Sequence, residues 1–133
     1  MEPGKLIASP TIFRANLVND METTENPWID MVPGIRRQTI ATNTAMYQMR
    51  ARLDAGSRLP EHQHPQEQIT HVISGRVRMI VAGTPHELGP GELLYLPSDT
   101  PHGAETIEDT LVIDTFSPPR EDYLAIDAVA AER

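Results

Sequence analysis

The stretch Gly56-Ser57-Arg58-Leu59-Pro60-Glu61-His62-Gln63-His64-Pro65-Gln66-Glu67-Gln68 holds two histidines one residue apart, and Gly75 follows seven residues after its end. On an extended segment, residues two apart point the same way. His62 and His64 can then turn both imidazoles toward one ion. A second stretch, Gly91-Glu92-Leu93-Leu94-Tyr95-Leu96-Pro97-Ser98-Asp99-Thr100-Pro101-His102, brings a third histidine behind a glycine and a proline. A lone His-x-His is commonplace on solvated loops. The two stretches together, reading G-x5-H-x-H and G-x5-P-x4-H, make a ligand set. Imidazole nitrogen suits Zn, Ni, Fe, Mn or Cu better than Ca or Mg.

Outward from these stretches, the chain is cut into short pieces by twelve prolines and eight glycines. Runs rich in β-branched and aliphatic residues lie between them, the mark of a sandwich or barrel. The pattern predicts strands at 34–42, 45–53, 68–73, 76–82, 92–96 and 110–116. Ser74-Gly75 reads as a tight hairpin between two of them, and Gly83-Thr84-Pro85 as the next. Val77, Met79 and Val81 alternate with Arg76 and Arg78, so that strand has one apolar and one charged face. Residues 68–73 carry apolar side chains on both faces, which predicts cover on both sides: the barrel interior on one, a second copy of the chain on the other. A homodimer is therefore expected. Of the remaining histidines, His71 should face that interface, and His86 should be solvated in its hairpin.

The length of 133 residues suits one domain. We expect an N-terminal arm at 1–33, with an edge strand at 6–14 and a loop at 22–33 anchored by Trp28. A barrel follows at 34–123 and a short C-terminal helix or tail at 124–133, helical propensity running through 121–132. The formal net charge is −8, which argues against nucleic acid. An anionic small molecule would have to be met by a local arginine cluster, for which Arg36, Arg37, Arg50, Arg52, Arg76, Arg78 and Arg120 are available. No apolar run is long enough to span a membrane. The first residues do not read as a signal peptide, and cysteine is absent, so a cytoplasmic location is expected.

The two histidine stretches resemble the two motifs of the cupins, and the resemblance runs over 34–123. It implies an all-β fold, the cupin/RmlC-like double-stranded β-helix or jelly-roll barrel, and one divalent transition metal ion (Zn, Ni, Fe or Mn). The cupin pattern usually places Glu where this chain has Gln68, seven residues before Gly75. Glu67 is the rival. Neighbours on a strand point to opposite faces, so only one of the two can face the ion unless a bulge intervenes. Thr70 and Val72, on the face of Gln68, suit an interior, which favours the amide.

A second constellation closes the chain: Asp114-Thr115-Phe116-Ser117-Pro118-Pro119-Arg120-Glu121-Asp122-Tyr123. Asp114 and Phe116 share a strand face, and the paired prolines stiffen the exit before Arg120. This run, with His62-Gln63-His64-Pro65-Gln66-Glu67-Gln68-Ile69, Pro101-His102-Gly103 and Pro33-Gly34-Ile35-Arg36-Arg37, is similar to the small cupins of pectin and alginate breakdown, the KdgF type. That resemblance implies a metal held by His62, His64, Gln68 and His102. It also implies functional roles for Asp114, Phe116 and Arg120. The implied activity converts 4,5-unsaturated monouronates, small sugar acids, from the ring to a linear keto acid. A dioxygenase acting on a small organic substrate and a non-catalytic cupin binding sugar acid or metal are the rival readings. Fold alone does not decide among them.

Overall fold

The computed structural model of the protein describes residues 26–132. Eight strands precede one helix: β1 (Trp28–Val32), β2 (Ile35–Thr42), β3 (Tyr47–Leu53), β4 (Arg58–His62), β5 (Glu67–Val81), β6 (Thr84–Leu88), β7 (Leu93–Leu96), β8 (His102–Ser117) and α1 (Glu121–Ala131). Every strand pairing is antiparallel.

β5 and β8 organise the rest. They pair with each other from Glu67↔Ser117 to Val81↔His102. The first half of β5 also bonds β7 and the second half bonds β6. The second half of β8 bonds β3, and its first half bonds β4. Two layers therefore share these two long strands, β1-β2-β3-β8-β5-β7 and β4-β8-β5-β6. This is a barrel, one of the two forms the strand pattern allows, in the all-β jelly-roll arrangement that the cupin resemblance implies.

Ser74-Gly75 is not a hairpin. The strand runs on through it, and the register with β8 slips on both sides of Ser74 and again after Arg76. The slip changes which residues point inward: Gln68, Thr70 and Val72 are buried before it, Val77 and Met79 after it. A bulge that inserts a residue has this effect and bends the strand from one layer into the other. Gly75 adopts φ +91°, and a Cβ there would lie 2.2 Å from the Asp109 carbonyl oxygen. The Arg76 N–H then reaches Thr110 Oγ1 at 3.0 Å and closes the bulge onto β8. The reversal of the chain comes later, at Ala82 and Gly83, both with positive φ, as a tight two-residue turn requires.

The strands at 68–73 and 76–82 are thus one element. Residues 110–116 are the second half of a strand that begins at His102. Within the described part of the loop expected at 22–33, Trp28–Val32 form β1 instead. Trp28 anchors nothing inside: it is 39% exposed, with the Arg36 and Arg52 guanidinium groups each 5.5 Å from its ring. β4 and β6 contain Pro60 and Pro85, residues that sit on strand edges, and both strands lie at the margins of their layer. The expected edge strand at 6–14 lies outside the described residues. His86 is half-buried opposite Met79 rather than solvated.

The main core joins Ile35, Leu53, Val72, Val77, Met79, Leu88, Leu96 and Val112 with Ala51 and Ala104. A second cluster, Tyr47, Met49 and Phe116, fills the other end of the barrel, with Tyr123 and Leu124 of α1 packed on it. On the outer face of the β7-β5 region, Ile69, Ile73, Leu93 and Tyr95 are exposed. No described helix is long and apolar enough to cross a membrane.

Candidate metal centre

Strand register brings the histidines together. His62 ends β4 directly opposite His102, which opens β8. His64 lies two residues beyond His62, just before β5. The His62 and His102 ring centroids are 4.3 Å apart, those of His64 and His102 5.0 Å, and those of His62 and His64 5.7 Å. One ligand nitrogen from each of the three lies within 4.8 Å of the others.

The backbone orients all three rings. Nδ1 of His62 bonds the Pro60 carbonyl at 2.9 Å, that of His64 the Gln66 carbonyl at 3.1 Å, and that of His102 the Thr100 carbonyl at 2.8 Å. A carbonyl only accepts, so each Nδ1 carries the proton and each Nε2 keeps a lone pair. A hydrogen bond on the far nitrogen is how proteins prepare an imidazole for a metal. Burial, more than any charge nearby, holds His102 down to about 4. Burial and then the Arg120 charge lower His64. Both rings are neutral at neutral pH, the form a metal requires.

Gln68 completes the group. It faces inward from the start of β5 and is 5% exposed. Its Nε2 donates to Thr70 Oγ1 at 2.9 Å, which directs Oε1 to His64 Nε2 at 3.1 Å. Two lone-pair donors then face one another in a buried site, an arrangement a cation resolves. Glu67 points the other way, accepting the Tyr95 hydroxyl at 2.8 Å on the outer face. Parity therefore brings the amide, and not the carboxylate, to the histidines. The residues fit a divalent ion with nitrogen and neutral-oxygen ligands.

Beside this group, Asp114 lies opposite Thr70 on β5 and Met49 on β3. Burial pushes its carboxyl up to about 6, against the pull of hydrogen bonds from Thr70 and Gln68. Its Oδ1 is buried without a partner. Phe116, opposite Gln68, packs against the His64 ring at 5.5 Å. Arg120 follows the paired prolines and is 6% exposed, its guanidinium 5.0 Å from the Phe116 ring and 3.8 Å from that of Tyr123. A cavity of about 50 Å³ lies among His62, Gln68, His102, Asp114, Phe116 and Arg120, over an apolar floor that includes Met49 and Val112. That is room for an ion and one or two ligand oxygens.

The arginines available for a local cluster do not gather at the cavity. Arg36 and Arg52 flank Trp28, and Arg76 and Arg78 pair with Glu87 and Glu105 on the outside. Arg37 is buried beneath α1. Among the arginines named, Arg120 lines the cavity. Tyr123 and Thr70 also line it, and neither was singled out from sequence. Thr70 is marked only by sharing a face with Gln68, and Tyr123 by its place at the start of the helical run.

A family model described as a cupin domain matches residues 49–115. The pectin degradation protein KdgF of Dickeya dadantii is 28% identical over 102 residues, covering 75% of this chain and 93% of that protein. The solved structure of KdgF from Halomonas sp. matches with a TM-score of 0.71 at 36% identity, over 75% of this chain and 94% of the other. An RmlC-like cupin from Shewanella frigidimarina matches with the same TM-score at 29% identity, over 75% of this chain and 90% of its own. The chain belongs to the cupin domain family and, within it, is a KdgF-like cupin.

Proposed function

We propose that this protein opens 4,5-unsaturated monouronates, the small sugar acids released in pectin and alginate breakdown, to linear keto acids. The observation that carries the reading is one constellation: three converging imidazoles and an amide, with a buried carboxyl and a buried guanidinium on the same cavity. Its similarity to a protein named for pectin degradation points to the substrate class.

In this reading His62, His64, Gln68 and His102 hold one divalent ion, of which Zn, Ni, Fe and Mn suit the donor set. When bound, the ion supplies Lewis-acid polarisation of substrate oxygens. The neutral amide leaves its double charge undiminished.

The substrate is a cyclic enol ether bearing a hemiacetal and a carboxylate. Asp114 takes the proton of the anomeric hydroxyl. The ring carbon–oxygen bond breaks, the anomeric carbon becomes an aldehyde, and the electron pair passes to the enolate. A proton then returns to the carbon that becomes the methylene beside the new ketone. Atoms and electrons balance without a co-reactant. A carboxyl whose proton affinity is raised by burial suits this exchange near neutral pH. Arg120 pairs with the substrate carboxylate, and Phe116 walls the pocket between His64 and Arg120. The narrow cavity admits the reacting oxygens, and the rest of the sugar lies at the mouth.

The test is direct. Lyase-generated unsaturated monouronate is mixed with purified protein, and the ultraviolet absorbance of the conjugated double bond is followed. Loss of absorbance well above the buffer rate is expected; a rate equal to buffer overturns the reading.

The chain is also proposed to pair with a second copy through Ile69, Ile73, Leu93 and Tyr95, an apolar face on rigid strands. Light scattering should give twice the monomer mass, and Ile69→Glu with Leu93→Glu should halve it. A wild-type monomer at micromolar concentration overturns the pairing.

A further inference from the structure

We infer that Tyr123, Arg37 and Asp127 are positioning residues for Arg120. The inference rests on the reading of Arg120 as the group that meets the substrate carboxylate.

Arg120 sits where α1 begins, at its N-cap, and makes no side-chain cap bond. Its guanidinium donates from Nε and Nη2 to the two Asp122 carboxylate oxygens at 3.1 and 2.9 Å. This side-on pair uses one edge of the fork and leaves Nη1 without a bond to Asp122. One more carboxylate can then be met end-on, because the guanidinium is a planar donor with two usable edges. Where that free edge points depends on what holds the plane.

The plane is held by Tyr123. The Arg120 guanidinium stands 3.8 Å from the Tyr123 ring centroid, and the Arg37 guanidinium stands 4.2 Å from the same centroid. The π cloud attracts both cations. Each guanidinium has its own counter-ion on α1, Asp122 for Arg120 and Asp127 for Arg37. The chain of contacts Asp127–Arg37–Tyr123–Arg120–Asp122 therefore alternates in charge across an aromatic centre.

Asp127 ties this chain to the barrel. α1 has no fully buried residue, and Asp127 lies one turn beyond Tyr123. Its Oδ1 accepts from Arg37 Nη1 at 2.9 Å, and its Oδ2 accepts from Thr39 Oγ1 at 2.5 Å. Arg37 is 1% exposed and also reaches the Tyr123 carbonyl at 3.3 Å. Thr39 is bonded in turn to the Tyr47 hydroxyl at 2.6 Å. A buried arginine on β2 thus fixes the register of a surface helix whose N-cap residue, Arg120, lines the cavity. An error of about an ångström at a binding group is enough to cost on the order of a hundredfold in rate.

The experiment compares Asp127→Asn, Tyr123→Leu and Tyr123→Phe in the metal-loaded protein, each shown by thermal melting to be folded. The first readout needs no activity. The Arg120 Nε–H signal in ¹⁵N spectra, assigned by its loss in Arg120→Lys, should be ring-current shifted in the wild type and in Tyr123→Phe. It should move toward the free-arginine position in Asp127→Asn and Tyr123→Leu. The second readout is kinetic, with unsaturated monouronate. KM should rise about tenfold in Asp127→Asn and Tyr123→Leu, with kcat within about twofold. Asp127→Asn should add nothing in an Arg120→Ala background. An unmoved Nε–H signal in both variants, or effects that add in that background, overturns the inference. A wild type that leaves the monouronate untouched overturns the functional reading instead, and the spectra alone then decide the positioning.

Discussion

His64 Nε2 and Gln68 Oε1 lie 3.1 Å apart with a lone pair on each, inside a barrel where no solvent separates them. The ring cannot supply a proton from Nε2 while its Nδ1 proton is committed to the Gln66 carbonyl. A positive ion shared by both removes the conflict. Purified protein should therefore hold close to one equivalent of a transition metal by elemental analysis, and His102→Ala should lose it. Chelation should lower the melting temperature, since an ion bound only by the folded state stabilises by mass action. Gln68→Glu adds an anionic oxygen at the same place. It should hold the ion more tightly against chelator and turn over more slowly, because a charged ligand weakens the ion as a Lewis acid. Faster turnover by Gln68→Glu would show that the neutral amide is not serving that end.

Asp114 carries a cost that the site imposes on the fold. In the metal-free protein its carboxyl is raised to about 6 from 3.8, chiefly by burial. For an acid whose folded value lies above its unfolded one, the sign is clear. Below pH 3.8 both states are protonated and nothing is lost. Between that value and about 6 the unfolded state ionises first, and stability falls as pH rises. Asp114→Asn removes the charge and keeps the shape. The metal-free variant should be more stable than metal-free wild type at pH 8, by on the order of 1–3 kcal/mol. The two should converge near pH 3.5, as measured by denaturant midpoints. The same substitution should cost most of the ring-opening activity. A variant less stable than wild type at pH 8 would mean that a hydrogen bond to the ionised carboxylate outweighs its burial.

Arg120→Ala separates binding from chemistry. The guanidinium is already stacked and paired in the free protein, so in the proposed reaction it would meet ground state and transition state alike. Removing it should raise KM by about tenfold or more while kcat changes by no more than a few fold. Steady-state kinetics on unsaturated monouronate measure the split. A fall in kcat with KM unchanged would place Arg120 in the chemical step.

Parts of this site are legible in the chain because they obey local rules. Two histidines at spacing two, a third behind Gly91 and Pro97, and the parity of Gln68 with Thr70 and Val72 are properties of extended backbone. The strand pairing of His62 with His102 follows once two layers share β5 and β8. What stays hidden depends on distant partners. Ser74-Gly75 has the composition of a turn, and only the Asp109 carbonyl packed against it makes it a bend within a strand. β4 and β6 each carry a proline and charged residues, so their pairing is visible only from β8 and β5. Arg37 reads as one of several surface cations. Its burial is decided by Asp127, ninety positions away. His86 and Trp28 mislead for the same reason: hairpin contacts cover the first, and two arginines outside the barrel occupy the second.

The bend at Gly75 offers the last test, because it decides which residues of β5 face the histidines. Glycine there takes φ +91°, where a side chain is strained in any surroundings, and an added methyl would also meet the Asp109 carbonyl oxygen at 2.2 Å and Thr110 Oγ1 at 2.5 Å. Gly83 takes φ +84° in the hairpin turn, with nothing within 4 Å of an added methyl. The pair separates backbone strain from collision. Gly83→Ala should cost about 1 kcal/mol, the price of positive φ alone. Gly75→Ala should cost roughly 3 kcal/mol or more, since backbone on the facing strand has to give way. That is a large share of the roughly 5–15 kcal/mol that holds a domain folded. Relief of the collision should also slip β5 against β8 and turn Gln68 from its place beside His64. Denaturant midpoints measure the first effect, and metal content in the folded fraction measures the second. Equal destabilisation by the two substitutions, with metal retained in both, would mean that the strand bends without needing the close approach at Asp109.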